Sequence, residues 1–451
     1  MGLTTLQLAC LTTPPLTLTI LSLPSSTSTV RQLLYPLPAV LLLQPLLYPP
    51  KISWSDKETV QETFALGVLY ANYLFAFCRV LYLYGYDTPR YFQKFRRIYE
   101  PGGHDDGGGD SVKANSKKQE GYPCDLWGRI KWSLSLLTAT RGIGWNFEVS
   151  MPQREKYLPT SRWGCVWDTT VLIIQCHLLS NISRFSCGII VKLLRNEPLP
   201  FPTPPILHEI FGNIILQMVI VTVVWAIRAI VFVNLVAAYP RLLFVGLGVD
   251  SSWGEPREWP RMFGEVGECW SVRNFWGRAW HQTIRRCIQS PSEKLPNFLL
   301  GTDISKLSHA ARLLRRYILL FSSFSISGLI HTFGVYFVIT GCDNYNPPPN
   351  NPPWYYVFYF FIAQAGYITC EDFVYWVLGV DTDGDYDDGN DDGKVGKKRG
   401  KVGCVIGMAC TMAWFVWCVP TLWADPESRI VGFWEGEGKG LVHVLDREHR
   451  F

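Results

Sequence analysis

The feature that most constrains this chain is a series of uncharged apolar stretches, each long enough to cross a bilayer. A helix rises 1.5 Å per residue, so about 20 mostly apolar residues span ~30 Å of hydrocarbon. Six stretches meet that requirement well: 62 to 84, 169 to 194, 211 to 238, 317 to 341, 354 to 380 and 402 to 423. Two weaker ones, 3 to 23 and 33 to 49, are interrupted by proline, the first at Pro14 and Pro15. The stretch 132 to 145 is apolar but shorter and reads as a re-entrant or interfacial helix. Composition points the same way, since 48% of the 451 residues are hydrophobic and only 18% are charged. The expected fold is all-α, a polytopic transmembrane helical bundle of about 6–8 spans.

Lys and Arg collect in 85 to 131, 239 to 316 and 394 to 401, while 195 to 210 and 342 to 353 are nearly free of them. By the positive-inside rule the first group faces the cytosol, and the six stronger spans alternate without contradiction. A net charge of +4 is too small to argue for nucleic acid as a partner. The thirteen cysteines show no CxxC pair and no metal-ligand spacing, so neither a metal site nor a disulfide framework is expected. Residues 1 to 60 form weakly defined hydrophobic segments, and 61 to 451 read as one membrane domain. Within that domain, 101 to 120 is a Gly-rich polar linker, 239 to 316 a cytosolic motif segment, and 381 to 401 a cytosolic acidic and basic loop. The acidic run from Asp381 lacks the glycine and glutamate positions of a calcium loop. The motif segment and the span at 317 to 341 hold the chemistry.

Read as a helix, 270 to 287 places Asn274, Arg278, His281 and Arg285 on one face, with Arg286 adjacent. Val272, Phe275, Trp276, Ala279 and Ile284 fill the other side, and Trp280 stands next to His281. Such a basic amphipathic helix is the equipment of a membrane surface anchor. The same amide, guanidinium and imidazole groups also suit an anionic cofactor and a carbonyl, because arginine pairs with phosphate bidentately. A second histidine, His331, is the lone side chain of 317 to 341 that titrates near neutral pH and shares a face with Ser323, Ser327 and Gly334. An ionisable residue at mid-membrane is a functional hypothesis by default. The alternative is a neutral histidine bonded to a neighbouring span. On the next span Gln364, Tyr367, Glu371 and Tyr375 share a face, with Glu371 either orienting His331 or sitting at the interface. Upstream, Gly142 and Gly144 permit a tight turn beside Trp145, which is a loop anchor or part of a site wall.

These motifs resemble the fungal wax-synthase-like branch of the membrane-bound O-acyltransferases. The resemblance rests on Arg141-Gly142-Ile143-Gly144-Trp145-Asn146, on the run from Asn274 through Trp280-His281-Gln282 to Arg285, on Ser327-Gly328-Leu329-Ile330-His331, and more weakly on Glu371-Asp372. It implies transfer of an acyl group from acyl-CoA, acetyl-CoA in the acetyltransferase type, to a lipophilic alcohol such as a terpenoid or meroterpenoid intermediate of secondary metabolism. Long-chain wax ester synthesis is the alternative within the family. No bound cofactor is implied, and the bilayer, at the endoplasmic reticulum, is the expected surrounding. Carried over, His331 takes the hydroxyl proton and His281 holds or polarises the acyl group with Asn274 or Trp280 nearby. Trp276 adds to the binding surface, Arg278, Arg285 and Arg286 meet CoA phosphates, and Ser327 and Glu371 support the base. The family position before Trp280 is usually basic and here is Ala279. Two rival classes remain: a transporter, for which no internal repeat is found, and a scaffold anchored through 270 to 287.

Overall fold

The computed structural model of the chain describes residues 5–24, 28–34, 36–53, 57–77, 92–98, 116–139, 142–148, 161–194, 213–249, 253–343, 355–378 and 401–424. Helices stand at every expected span. They are α1 (Thr5–Leu21), α2 (Ser28–Leu34), α3 (Pro36–Leu47), α4 (Lys57–Phe77), α5 (Leu126–Thr138), α6 (Arg162–Leu194), α7 (Ile214–Leu247), α8 (Arg285–Leu300), α9 (His309–Gly341), α10 (Tyr356–Val377) and α11 (Lys401–Cys418). The last continues as a π-helix over Val419–Ala424.

By length and apolarity, three helical segments among the described residues qualify as membrane spans: α7, α9 and Val402–Ala424. Only 17% of the apolar window of α7 is buried within the protein, so the remainder is an apolar surface that water would not tolerate. Some expected spans fall short for local reasons. The apolar part of α4 shrinks to Thr63–Ala76, and α10 carries Glu371 and Asp372 near its end.

Other expectations are corrected. Pro14 and Pro15 do not interrupt the first segment, because α1 runs continuously through both. Threonine hydroxyls around them bond back to carbonyls four residues upstream, Thr13 to Ala9 at 2.5 Å and Thr17 to Thr13 at 2.8 Å. The linker expected over 101 to 120 ends in a strand, β3 (Ser116–Glu120), antiparallel to β2 (Lys94–Ile98). A Lys94–Glu120 ion pair at 3.7 Å closes one end of this ribbon, whose cross-strand partners are too far apart in sequence for local pattern to reveal. A second small pair, β1 (Ile52–Ser53) parallel to β4 (Cys342–Asp343), ties the approach to α4 to the end of α9. The first part of the linker, Arg141, the 342 to 353 connection beyond Asp343 and the 381 to 400 loop lie outside the described residues.

Gly142 and Gly144 adopt positive φ, 66° and 74°, so this loop needs the conformations glycine reaches without strain. Trp145 is consequently turned inward. It is 3% exposed and packs edge-on against Trp132 at 5.1 Å, which makes it an anchor of the loop in the core. That cluster, with Tyr70, Phe92, Phe147 and Phe337, is one of two hydrophobic centres. The other gathers α9, α10, α11 and the motif segment around Val335, Phe360, Phe361, Phe415 and Trp423.

Helices α4 and α9 approach at a glycine pair, where small residues let backbones close. A Cβ on Gly67 would stand 2.8 Å from Gly334 Cα, and one on Gly334 would stand 2.8 Å from Phe64 O. The Gly334→Leu variant is therefore expected to lose about 1–3 kcal/mol of stability through overpacking. A lower thermal midpoint of the detergent-solubilised protein would register it, and an unchanged midpoint would show that the helices do not pack there.

Candidate active site

The motif segment does not form the single amphipathic helix that its spacing suggests. Ser271 caps one short turn, Val272–Asn274, by accepting from Asn274 N–H at 3.0 Å. The chain then widens into a π-turn, Phe275–Ala279, closed by Trp280 N–H donating to Phe275 O at 2.6 Å. Trp280 itself is extended, and helix resumes only at Arg285. A π-turn adds one residue to the repeat, which rotates everything after it off the expected face. The buried Gln282 amide then donates to Trp276 O at 3.0 Å and Trp280 O at 2.8 Å, satisfying carbonyls that the broken ladder leaves.

The four residues once placed on one face therefore part. Asn274 is 5% exposed, and its side-chain nitrogen is buried without a hydrogen-bond partner among the described residues. Arg278 pairs with Glu268 at 3.4 Å across the turn. Arg285 is exposed and donates to Gly277 O at 3.3 Å and Gln282 Oε1 at 3.1 Å. His281 is half-buried, its ring edge-on to Phe263 at 5.9 Å and 5.5 Å from Trp280. Arg286 belongs to α8, but its side chain is not among those described.

His331 sits on α9, where Ile330, Thr332 and Gly334 around it are buried. Its Nδ1 lies 2.8 Å from Ser327 O. A carbonyl can only accept, so Nδ1 carries the proton and Nε2 keeps a free lone pair. Ser327 thus acts through its main chain, one helical turn back. The imidazole packs against Phe361 at 4.8 Å and Trp423 at 5.6 Å. Two ladders of rings connect it to the motif segment. One passes through Phe361 and Trp276, 6.0 Å apart, to Trp280 at 5.8 Å. The other passes from Trp423 to Trp225 at 5.3 Å and on to Trp280, stacked at 6.2 Å with planes 6° apart. The two histidines, both half-buried, meet one aromatic assembly at different points.

Glu371 does not orient His331. Its carboxylate accepts from Val272 N–H at 3.0 and 3.1 Å and from Arg273 N–H at 3.4 Å, capping the motif turn with a charge at the positive end of its peptide dipoles. Asp372 beside it takes Arg273 in a close ion pair, Arg316 at 3.4 Å and Tyr317 Oη at 3.2 Å. Three elements are clamped at that one point: the motif turn, α9 and α10. Gln364, which the sequence places on the face of Glu371 without giving it a role, has its oxygen accept from Trp276 Nε1 at 3.3 Å and Trp414 Nε1 at 2.9 Å. An amide inside an otherwise aromatic span was the visible signal.

A cavity of about 790 Å³ opens between α6, α7, α11 and the motif segment, with Trp225, Phe275 and Trp280 in its wall. Cys269 also lines it. Burial, with the neighbouring Glu268 adding to it, holds that thiol above its ordinary pKa, so it is a poor nucleophile.

The structure thus holds a histidine oriented by its own helix within an aromatic interior of a helical membrane protein. Known sequences say which kind. The profile of the Membrane bound O-acyl transferase family matches residues 259–361, which takes in both the Trp280-His281 motif and His331. An acetyltransferase of Arthrobotrys oligospora is 37% identical over 435 residues, covering 94% of this chain and 82% of that protein. The O-mevalon transferase yanI of Aspergillus niger is 30% identical over 382 residues, 83% of this chain and 75% of that protein. The corresponding macI of Penicillium terrestre is 31% identical over 324 residues, 70% and 67% respectively. No solved structure matches the chain. The chain belongs to the membrane-bound O-acyltransferase family. It is an acyltransferase, pairing an acyl-CoA donor with an alcohol acceptor.

Proposed function

We propose that the protein moves an acetyl group from acetyl-CoA to a hydroxyl of a lipophilic alcohol, a terpenoid or meroterpenoid intermediate of fungal secondary metabolism, with His331 as the base. The observation that carries this reading is the His331 geometry: Nδ1 bonded to Ser327 O, Nε2 left as acceptor. His331 Nε2 takes the hydroxyl proton as the alcohol oxygen attacks the thioester carbonyl. The tetrahedral intermediate collapses, the C–S bond breaks, and the CoA thiolate leaves with the proton returned from His331. His281 and the unpartnered amide of Asn274 stabilise the carbonyl oxygen as it gains charge. Trp276 and Trp280 wall the acyl group, and Arg278, Arg285 and Arg286 receive the CoA phosphates from the cytosolic side. The acetyl assignment is supported by the names of relatives, among them the acetyltransferase of Arthrobotrys oligospora.

The reading includes a single membrane domain over 61 to 451, preceded by hydrophobic segments, with six to eight crossings in the endoplasmic reticulum. Microsomes expressing the chain, supplied with labelled acetyl-CoA or palmitoyl-CoA and a set of terpenoid alcohols, test it. Labelled acetate esters are expected. Palmitate esters alone would favour the wax synthase alternative, and flux of alcohol across the membrane without CoA release would favour transport.

A further inference from the structure

A buried amide holds the motif turn from outside it and takes no part in the proton and acyl steps. Gln364 stands on α10, in an apolar and aromatic run, and is 0% exposed. An amide in such a place is costly unless its polar atoms find partners. Its oxygen accepts from two indoles, Trp276 Nε1 at 3.3 Å and Trp414 Nε1 at 2.9 Å. Its nitrogen donates to Phe360 O at 3.3 Å and to Cys418 Sγ at 3.6 Å. One side chain thereby joins α10, α11 and the π-turn.

The two indoles depend on that oxygen unequally. Trp414 is also stacked on Tyr367, with ring centres 4.3 Å and planes 25° apart, and is no part of the cavity wall. Trp276 has no stacked partner among the described residues. Its ring meets Phe275, Trp280, Phe324, Phe361 and Phe415 at 5.2 to 6.2 Å, with planes 50° to 89° apart, and it borders the cavity. An indole packed by its neighbours' edges beside about 790 Å³ of open space can turn into that space unless a directional bond fixes its plane. The Gln364 oxygen supplies that bond.

The plane of Trp276 bears on both histidines. Trp276 packs on Phe361, which packs on His331 at 4.8 Å, and on Trp280, which lies 5.5 Å from His281. A turn of the one ring displaces the supports of both imidazoles.

We propose that Gln364 is a positioning residue: by bonding the indole N–H of Trp276 it holds the aromatic support that His331 and His281 share, and so sets the geometry between base and acyl group. This role rests on the acyltransferase reading and is independent of acyl length. A misplacement of about 1 Å arising away from the chemistry costs about 10²-fold in rate.

The test measures kcat of the full chain in microsomes and its thermal midpoint in detergent. The substrates are labelled acetyl-CoA, or palmitoyl-CoA if only that donor reacts, and the terpenoid alcohol most readily esterified. Gln364→Met keeps the side-chain volume and removes the strong acceptor, and is expected to lower kcat about 10–100-fold. Gln364→Glu, which keeps an oxygen acceptor of the same reach, should recover most of that loss. Trp276→Phe keeps a ring without the N–H and should fall comparably. Combined with Gln364→Met it should fall little further, because the two side chains act as one unit. Trp414→Phe removes the other donor and should lower the midpoint while leaving kcat near that of the unaltered chain. Should Gln364→Met not accumulate, Gln364→Asn, whose amide stops one methylene short of the indole, carries the same expectation. Unchanged kcat in the Gln364 variants, losses that multiply in the double variant, or an equal loss in Trp414→Phe would overturn the positioning role and leave the acyltransferase reading standing. Absence of ester from every alcohol and both donors with the unaltered chain would overturn both.

Discussion

His331→Ala is expected to reduce ester formation by about 10²–10⁴-fold in kcat, the usual contribution of a positioned general base. The Michaelis constant for acyl-CoA should change little, because the imidazole touches the hydroxyl and not the nucleotide. The loss follows from how the ring is held. Its Nδ1 proton is committed to Ser327 O at 2.8 Å, so the tautomer with a basic Nε2 is fixed before substrate arrives. Phe361 and Trp423 then prevent the ring from turning away. His331→Gln has a side chain of similar length but no basic nitrogen, and should be nearly as inactive while inserting normally. Full activity in either variant, measured as labelled ester per unit of membrane protein, would remove His331 as the base.

The second large effect is expected away from the aromatic interior. Asp372 is 9% exposed at its side chain and faces Arg273 and Arg316 together. Asp372→Asn leaves two guanidinium groups, themselves about one-fifth exposed at 19% and 21%, without their shared counter-charge. Removing one partner from a buried ionic cluster costs about 3–5 kcal/mol, enough to lower the amount of folded protein several-fold. The specific consequence falls on the motif turn, which Arg273 anchors to α10. The surviving Asp372→Asn protein is expected to show a lowered kcat as well as a lowered thermal midpoint. Glu371→Gln, which keeps the side chain's size and a carbonyl acceptor for the Val272 N–H, should be milder in both. Equal midpoints for Asp372→Asn and the unaltered chain would show that the cluster is not a clamp.

The helices were legible because bilayer length and apolarity are properties of composition over twenty residues. The individual span was harder to judge, since α10 mixes an aromatic body with Glu371 and Asp372 toward its C-terminal end. His331 stood out for a physical reason, an ionisable group in an apolar run. Its orienting partner did not stand out. Any helical histidine can bond its own upstream carbonyl, and spacing cannot show that this one does so in preference to Glu371. The motif turn misled for a similar reason. Periodicity assumes an unbroken α-helix, whereas Trp280 bonds five residues back and the Gln282 amide seals the break. Pattern carries no mark of that exchange. The glycines at 142 and 144 were readable as a turn, but whether Trp145 pointed to lipid or core depended on Trp132 being present to receive it.

What separates base catalysis from a covalent acyl-enzyme is the order in which CoA leaves. Purified protein in lipid nanodiscs, given labelled acetyl-CoA and a thiol-reactive dye, should release no CoA thiol until alcohol is added. From then on it should release one thiol per ester formed. A burst of thiol before the alcohol, with label retained on the protein, would contradict direct attack on the thioester and with it the role assigned to His331.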